Sequence, residues 1–155
     1  MSDLETLMRV HARVSRERFA EDGELPFPSW LIERKDGRRL LLATPMGRGE
    51  SDSVAAAVRK AIKEFGGVRY AYAVETWFLA PMSDKELAEL KVRPSESPDR
   101  LEGILISGED ISGEQKSVMY EIKRFLGAKP TLGKAQHSDE FTGIFADMFA
   151  VGPYT

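Results

Sequence analysis

The chain lacks cysteine altogether and holds only two histidines, His11 and His137. Without cysteine there can be no disulfide, no thiolate metal site and no thiol nucleophile. His11 falls on the apolar side of an N-terminal helical pattern, which favours a packed or interface histidine. His137 stands next to Ser138 and Asp139, whereas the members of a catalytic triad converge from separate segments. Two histidines so placed predict no zinc site, and we expect no cofactor.

Long hydrophobic runs are also missing. No segment approaches the roughly 20 apolar residues that cross a bilayer, and Met1–Val14 is too charged for a signal peptide. We therefore expect a soluble, cytoplasmic protein without a membrane partner. The net charge of −3 argues against general affinity for nucleic acid. The 155 residues, 42% of them apolar, predict a single domain over residues 1–155.

The first half of the chain contains two helical patterns around a predicted hairpin. Leu4, Leu7, Met8, His11 and Val14 recur at helical spacing after the capping residues Ser2 and Asp3, with arginines on the opposite side. Asp36-Gly37 predicts a two-residue hairpin turn that would pair Glu33 with Leu40 and Leu31 with Leu42. A strongly amphipathic helix over Val54–Phe65 follows the capping run 51–53 and ends at Gly66-Gly67.

The second half is dominated by strand patterns. Val68–Ala80 is apolar enough to be the central strand, and its small residues Ala71 and Ala73 leave room for a helix. Leu101–Ser107 and Gln115–Phe125 predict two more strands, although the spacing in the latter also suits a helix. We further predict a short helix within Met82–Val92 and a last helix after Ser138. Together these elements predict an α+β fold in which an antiparallel sheet of about five strands packs against the long Val54–Phe65 helix, flanked by N- and C-terminal helices.

A polar segment with two prolines, Arg93–Arg100, joins two of these strands. Proline restricts its own backbone and that of the residue before it, so we expect a stiff, non-helical loop. Glu75 lies in the otherwise apolar strand before this loop, so it needs either a partner, which Arg93 or Arg100 could provide, or a place at a strand end near solvent. We therefore predict an ion-pair surface; a catalytic or metal-binding Glu75 is the alternative. The predicted surface comprises Glu75, Arg93, Glu96, Asp99 and Arg100.

One spacing suggests an enzyme. Pro98-Asp99 precedes Glu121-Ile122-Lys123 by a strand, a turn and a strand, which formally resembles the PD-(D/E)-x-K nuclease superfamily. That resemblance implies that Asp99 and Glu121 hold a divalent cation and that Lys123 assists the attacking water or the phosphate. The pattern is short and its gap is loose, and the glutamate of the preceding helix has no clear counterpart.

The last predicted helix is rich in large apolar side chains. Core packing explains such a face, and a surface for a protein partner or for self-association is the alternative. The residues concerned are Phe141, Phe145, Met148 and Phe149. The leading hypothesis is a non-enzymatic binding or assembly protein that forms a homo-oligomer. The alternative is a metal-dependent hydrolase or nuclease that uses Asp99, Glu121 and Lys123.

Glu75-x-Trp77, followed by Arg93-Pro94-Ser95-Glu96-x-Pro98-Asp99-Arg100 and Glu102, resembles a signature of uncharacterised bacterial and phage-type proteins. The resemblance spans roughly Tyr70–Gly133. It implies no reaction and supplies no functional residues. It does favour the strand interpretation of Gln115–Phe125.

Overall fold

The computed structural model describes residues 1–45, 49–78, 85, 89, 100–138 and 148–149. Two helices and six strands have both of their ends within these residues. The helices are α1 (Asp3–Asp22) and α2 (Ser51–Phe65); the strands are β1 (Ser29–Arg34), β2 (Arg39–Ala43), β3 (Gly67–Phe78), β4 (Leu101–Asp110), β5 (Gln115–Lys123) and β6 (Thr131–Ser138).

The strands form one antiparallel sheet in the order β2-β1-β3-β4-β5-β6. The predicted α+β class is therefore confirmed, and β3 lies inside the sheet between β1 and β4. The number of strands differs, because β6 was not predicted from the sequence. β6 is largely exposed and contains Gly133 and Lys134, so it lacks the alternation of apolar and polar residues that marks a half-buried strand.

The two helices cover opposite faces of the sheet, which corrects the prediction of one long packing helix. The α1 face of the sheet packs on α1, which is the longer helix, with 20 residues. The α2 face packs on α2 together with Met148. Alternation along β3 separates the two cores, because Ala71 and Ala73 lie on the α1 face whereas Tyr70 and Tyr72 lie on the α2 face.

Close contact between α1 and the sheet requires small residues. A Cβ on Gly108 would lie 2.9 Å from Leu4 Cδ1 and 2.9 Å from the carbonyl oxygen of Tyr70. The side chains of Ala71 and Ala73 are fully buried beneath the same helix. The room that these alanines leave in the predicted central strand is therefore occupied by α1.

The β1–β2 hairpin differs from its predicted register by one residue. Glu33 pairs with Arg39 and Leu31 with Leu41. The loop has three residues: the Gly37 N–H donates to the Arg34 carbonyl, and Gly37 has a φ of 87°. This is a turn followed by a left-handed residue, and its extra residue shifts every pair that follows. Leu40 and Leu42 therefore share the α2 face with Trp30, and Leu41 lies on the opposite face with Leu31.

The helix ends agree with the sequence patterns, with one exception. Ser2 Oγ accepts the Glu5 N–H at the start of α1, and Gly23 ends the helix in a left-handed conformation. Gly66 ends α2 in the same way. At the start of α2, however, the capping position is Glu50, and its side chain makes no capping hydrogen bond. The serines and aspartate predicted to cap α2 lie within its first turn.

Most of two further predicted helices lie outside the described residues. Only Lys85 and Glu89 of the Met82–Val92 segment are described, and both are helical. Of the last predicted helix, only Met148 and Phe149 are described. Across the part of the chain that is described, no helix has both the length and the apolar character needed to span a membrane.

Candidate functional site

Glu75 lies near the end of β3 on the α1 face, next to the segment where the chain leaves α1. Its Oε1 accepts the backbone N–H of Leu25 at 2.5 Å. Burial raises the pKa of Glu75, although the Leu25 N–H and the charge of Arg124 favour its ionised form. The carboxylate therefore ties the loop after α1 to the sheet.

Arg124 and Arg100 lie near Glu75 but make different contacts. Arg124 Nε donates to Glu102 Oε2 at 2.5 Å, and this hydrogen bond raises the pKa of Arg124. The Arg100 guanidinium stacks over the Trp77 ring, 4.7 Å from its centroid. Among the residues that the structure describes, the cation that acts on Glu75 is thus Arg124, which the sequence did not indicate.

We call Glu75, Trp77, Arg100, Glu102 and Arg124 the sheet-end cluster. Two shallow cavities adjoin it, of about 230 Å³ beside Glu75 and about 380 Å³ beside Arg124, and Trp77 and Glu102 line both. Trp77 is 40% exposed. The cluster is a polar depression with an aromatic wall, and both of its carboxylates already accept hydrogen bonds from the chain itself.

The remaining residues of the predicted ion-pair surface are Arg93, Glu96 and Asp99, which lie outside the described residues. Their part in the surface stays a prediction. The same holds for the role of Asp99 in a metal site. Among the residues that the structure does describe, no group of three or more histidine, aspartate or glutamate side chains is arranged to hold a metal ion.

Glu121 and Lys123 lie on the α2 face of β5, because the neighbouring Tyr120 and Ile122 pack into the core on the α1 face. Gly133 of β6 is next to both: a Cβ added to it would lie 3.8 Å from Glu121 Cβ and 3.3 Å from Lys123 Cε. Glu121 pairs with Gly103 of β4. The start of β4, which follows Asp99 closely in the sequence, therefore lies beside this pair of residues.

A network of ion pairs at the opposite end of the sheet was not predicted. Arg69 donates to Glu33 at 2.6 Å and to Asp110 at 2.9 Å, and Arg39 donates to Glu33 at 2.8 Å. Although burial opposes its charge, Asp110 and Glu33 raise the pKa of Arg69. The register of four strands creates this network, so no local sequence pattern could reveal it.

Two successive cavities lie along α1 beside β5 and β6, and we call them together the α1 groove. One part has a volume of about 200 Å³, lies beside Arg9 and is floored by Val118 and Tyr120. A more open part of about 650 Å³ lies between Arg13 and Arg16 of α1 and the turn before β6.

The α1 groove carries an excess of positive charge. Its walls hold five cationic side chains, Arg9, Arg13, Arg16, Lys116 and Lys129, and two carboxylates, Glu5 and Glu17. The chain as a whole has a net charge of −3, so positive charge is concentrated in this groove relative to the rest of the protein. The recurrence of Arg9, Arg13 and Arg16 at helical spacing was visible in the sequence, but their position above β5 depends on the packing of α1.

The histidines and the described C-terminal residues lie in different environments. His11 is buried, with Nε2 3.2 Å from the Ser29 carbonyl oxygen, and burial lowers its pKa. His137 is exposed and lines the α1 groove. Met148 is buried against α2, and the Phe149 ring lies 5.7 Å from that of Tyr70. These two side chains therefore contribute to the core of this chain, and Phe141 and Phe145 lie outside the described residues.

Comparison with known proteins adds no further constraint, since no family model, curated protein or solved structure matches this chain.

Proposed function

We propose that this protein is a non-enzymatic binding protein whose α1 groove takes up an acidic segment of a polypeptide partner. The observation that carries the proposal is the row formed by Arg9, Arg13 and Arg16 along the groove. Arg16 lies 5.2 Å from the centroid of the Tyr120 ring, so part of this charged wall is held in place above β5.

The floor of the groove favours a polypeptide as the partner. Val118, Tyr120 and Leu132 supply apolar surface below the cationic wall. An acidic segment with alternating apolar residues would match both the cationic wall and the apolar floor. A nucleic-acid backbone would gain little from the apolar floor. The carboxylates of Glu5 and Glu17 on the wall, together with the net charge of the chain, also disfavour a densely charged polyanion.

The carboxylates of the sheet-end cluster are engaged in contacts within the chain. Glu75 accepts a backbone hydrogen bond from Leu25, and Glu102 is paired with Arg124. Side chains engaged in this way hold segments of the chain together, a structural role that agrees with a binding protein.

Fluorescence anisotropy with a short labelled peptide of alternating glutamate and leucine tests the proposal. We expect salt-sensitive binding that weakens by roughly tenfold or more when Arg9, Arg13 and Arg16 are replaced by glutamate. The matched control is the double variant Lys60→Glu/Lys63→Glu on exposed positions of α2, which should bind like the wild type. Equal binding by both variants, or a preference for a lysine–leucine peptide or an oligothymidylate, would contradict the proposal.

The hydrolase hypothesis remains a second candidate because of one observation. Glu121 and Lys123 share a face of β5, beside the start of β4. Titration with Mg²⁺ or Mn²⁺, followed by amide NMR, should then shift or broaden signals near Glu121 in the wild type but not in Glu121→Gln. An unchanged spectrum near Glu121 and Asp99 would rule this candidate out.

A further inference from the structure

The outer edge of β2 carries an apolar surface that the α1 groove does not involve. Leu41 is 60% exposed, although it lies in the middle of a strand. Phe27 and Val14 are 49% and 44% exposed, and they surround the same cavity of about 150 Å³ as Leu41. Within the described residues, β2 pairs only with β1, so its other edge has no strand beside it.

Features that normally protect an edge strand are weak in β2. Proteins often place lysine, proline, a bulge or an inward-pointing charge on such an edge. The stretch Arg39–Ala43 contains no proline and pairs with β1 without a bulge. Its single charged side chain, Arg39, donates to Glu33 at 2.8 Å and is therefore engaged within its own sheet.

The backbone of β2 also presents hydrogen-bonding groups in a regular pattern. The Arg34 N–H donates to the Arg38 carbonyl, which makes this a hydrogen-bonded pair of the hairpin. Hydrogen-bonded and non-hydrogen-bonded pairs alternate along antiparallel strands. The N–H and C=O groups of Arg39, Leu41 and Ala43 therefore point away from β1.

We propose that two copies of this chain associate through β2, which pairs with its symmetry mate to continue the sheet across a twofold axis. The antiparallel register centred on Leu41 keeps the whole strand paired. It places Leu41 opposite Leu41, Leu40 opposite Leu42 and Arg39 opposite Ala43, so that the outward-pointing backbone groups face one another. No two like charges are opposed, and the two Leu41 side chains meet on the α1 face.

A second copy fits this surface better than an unrelated strand because the sequence of β2 is complementary to itself in that register. Such an interface is isologous and closes after two copies. The strand has only 5 residues. Its backbone hydrogen bonds are few, so Leu41 and the exposed Phe27 and Val14 beside it must supply much of the association energy through burial. This places self-association at β2 rather than at the C-terminal segment, where Met148 is already buried within its own chain.

Analytical ultracentrifugation over a concentration series provides the first test. We expect the wild type to dimerise, and Leu41→Lys to raise the dimer dissociation constant by about a hundredfold, because two lysines would then face each other. Leu126→Lys is the matched control, since Leu126 is fully exposed in the turn after β5. It should dimerise like the wild type. Circular dichroism of both variants verifies that they remain folded.

Disulfide trapping tests the register, and the absence of native cysteine makes it specific. Residues in a hydrogen-bonded antiparallel pair have Cα atoms about 5.5 Å apart, which a disulfide can span. Leu41→Cys should therefore form a covalent dimer under mild oxidation, whereas Leu126→Cys should not. A mixture of Arg39→Cys and Ala43→Cys should cross-link, and either variant alone should not.

A wild type that stays monomeric at every concentration would overturn the proposal, as would a Leu41→Lys variant that dimerises normally. Loss of the dimer in Phe145→Glu together with its retention in Leu41→Lys would place self-association in the C-terminal segment instead. Leu41 does not line the α1 groove, so these outcomes are independent of those of the peptide-binding experiment.

Discussion

Arg69 of β3 donates a hydrogen bond from Nη1 to Oε1 of Glu33 on β1 at 2.6 Å, and both side chains are almost buried. The same guanidinium donates from Nε to Asp110 on β4. One side chain thus links three adjacent strands at one end of the sheet. Burial alone would raise the pKa of Asp110, but the Ser112 N–H and Arg69 hold it below its usual value.

Among the charged side chains that the structure describes, removal of Arg69 should lower the free energy of unfolding most. Arg69→Met leaves Asp110 without its guanidinium and leaves Glu33 with Arg39 alone, so we expect a loss of about 2–4 kcal/mol in the free energy of unfolding. Urea denaturation measures this loss. Arg38→Met is the control, because Arg38 is exposed and 3.9 Å from its partner, and it should change stability by less than about 0.5 kcal/mol. Similar values for the two variants would show that the network contributes little.

The close approach of α1 to β4 predicts a second sensitive position. In Gly108→Ala the new methyl group would meet Leu4, Met8 and the Tyr70 carbonyl at 3.0 Å or less, so that the helix or the strand must shift. We expect a destabilisation of about 1–3 kcal/mol in thermal or urea unfolding. Gly133→Ala on β6 is the comparison, because the nearest atom to its methyl group would be Cε at the flexible end of Lys123, at 3.3 Å, while Glu121 would lie at ordinary contact distance. A neutral Gly108→Ala would contradict the packing of α1 described above.

The burial of His11 predicts that the stability of the protein depends on pH. Because burial lowers its pKa, the folded state binds fewer protons than the unfolded state. The stability that His11 supplies is therefore present above its unfolded pKa of 6.5 and declines as the pH falls below that value. Unfolding measured between about pH 7 and 5 should show this decline in the wild type. His11→Gln keeps a donor for the Ser29 carbonyl but does not titrate, so its decline should be smaller.

The pH dependence of stability that Glu75 contributes should have the opposite sign to that of His11. Its pKa is raised by burial, so the folded state holds the proton more tightly, and stability is lost as the pH rises from the unfolded pKa through the folded pKa. Glu75→Gln should therefore stabilise the protein slightly at neutral pH, by less than about 1 kcal/mol because the site is partly exposed to solvent. The difference between the variant and the wild type should vanish in acid. Thermal unfolding at neutral and at acidic pH measures this difference in stability. A Glu75→Gln variant that is destabilised at neutral pH would mean that the fold requires the charged form of Glu75.

The sheet-end cluster was only partly predictable. A lone carboxylate in an apolar strand indicated that Glu75 needs a partner, and the structure supplies a donor there. The partner itself could not be inferred, because Leu25 lies 50 residues earlier and donates through its backbone. Arg124 was likewise assigned no role, since its distance from Glu75 depends on how β4 and β5 pair.

Local features of this protein follow from its amino-acid sequence alone. Gly23 and Gly66 end the helices because they adopt left-handed conformations that other residues disfavour, and the apolar character of β3 predicts an inner strand. Long-range packing sets which helix covers which face, where Arg69 finds its partners and which leucine of β2 is exposed. One extra residue in the hairpin loop reverses the faces of β2, and the positions of α1 and β6 rest on contacts between distant segments.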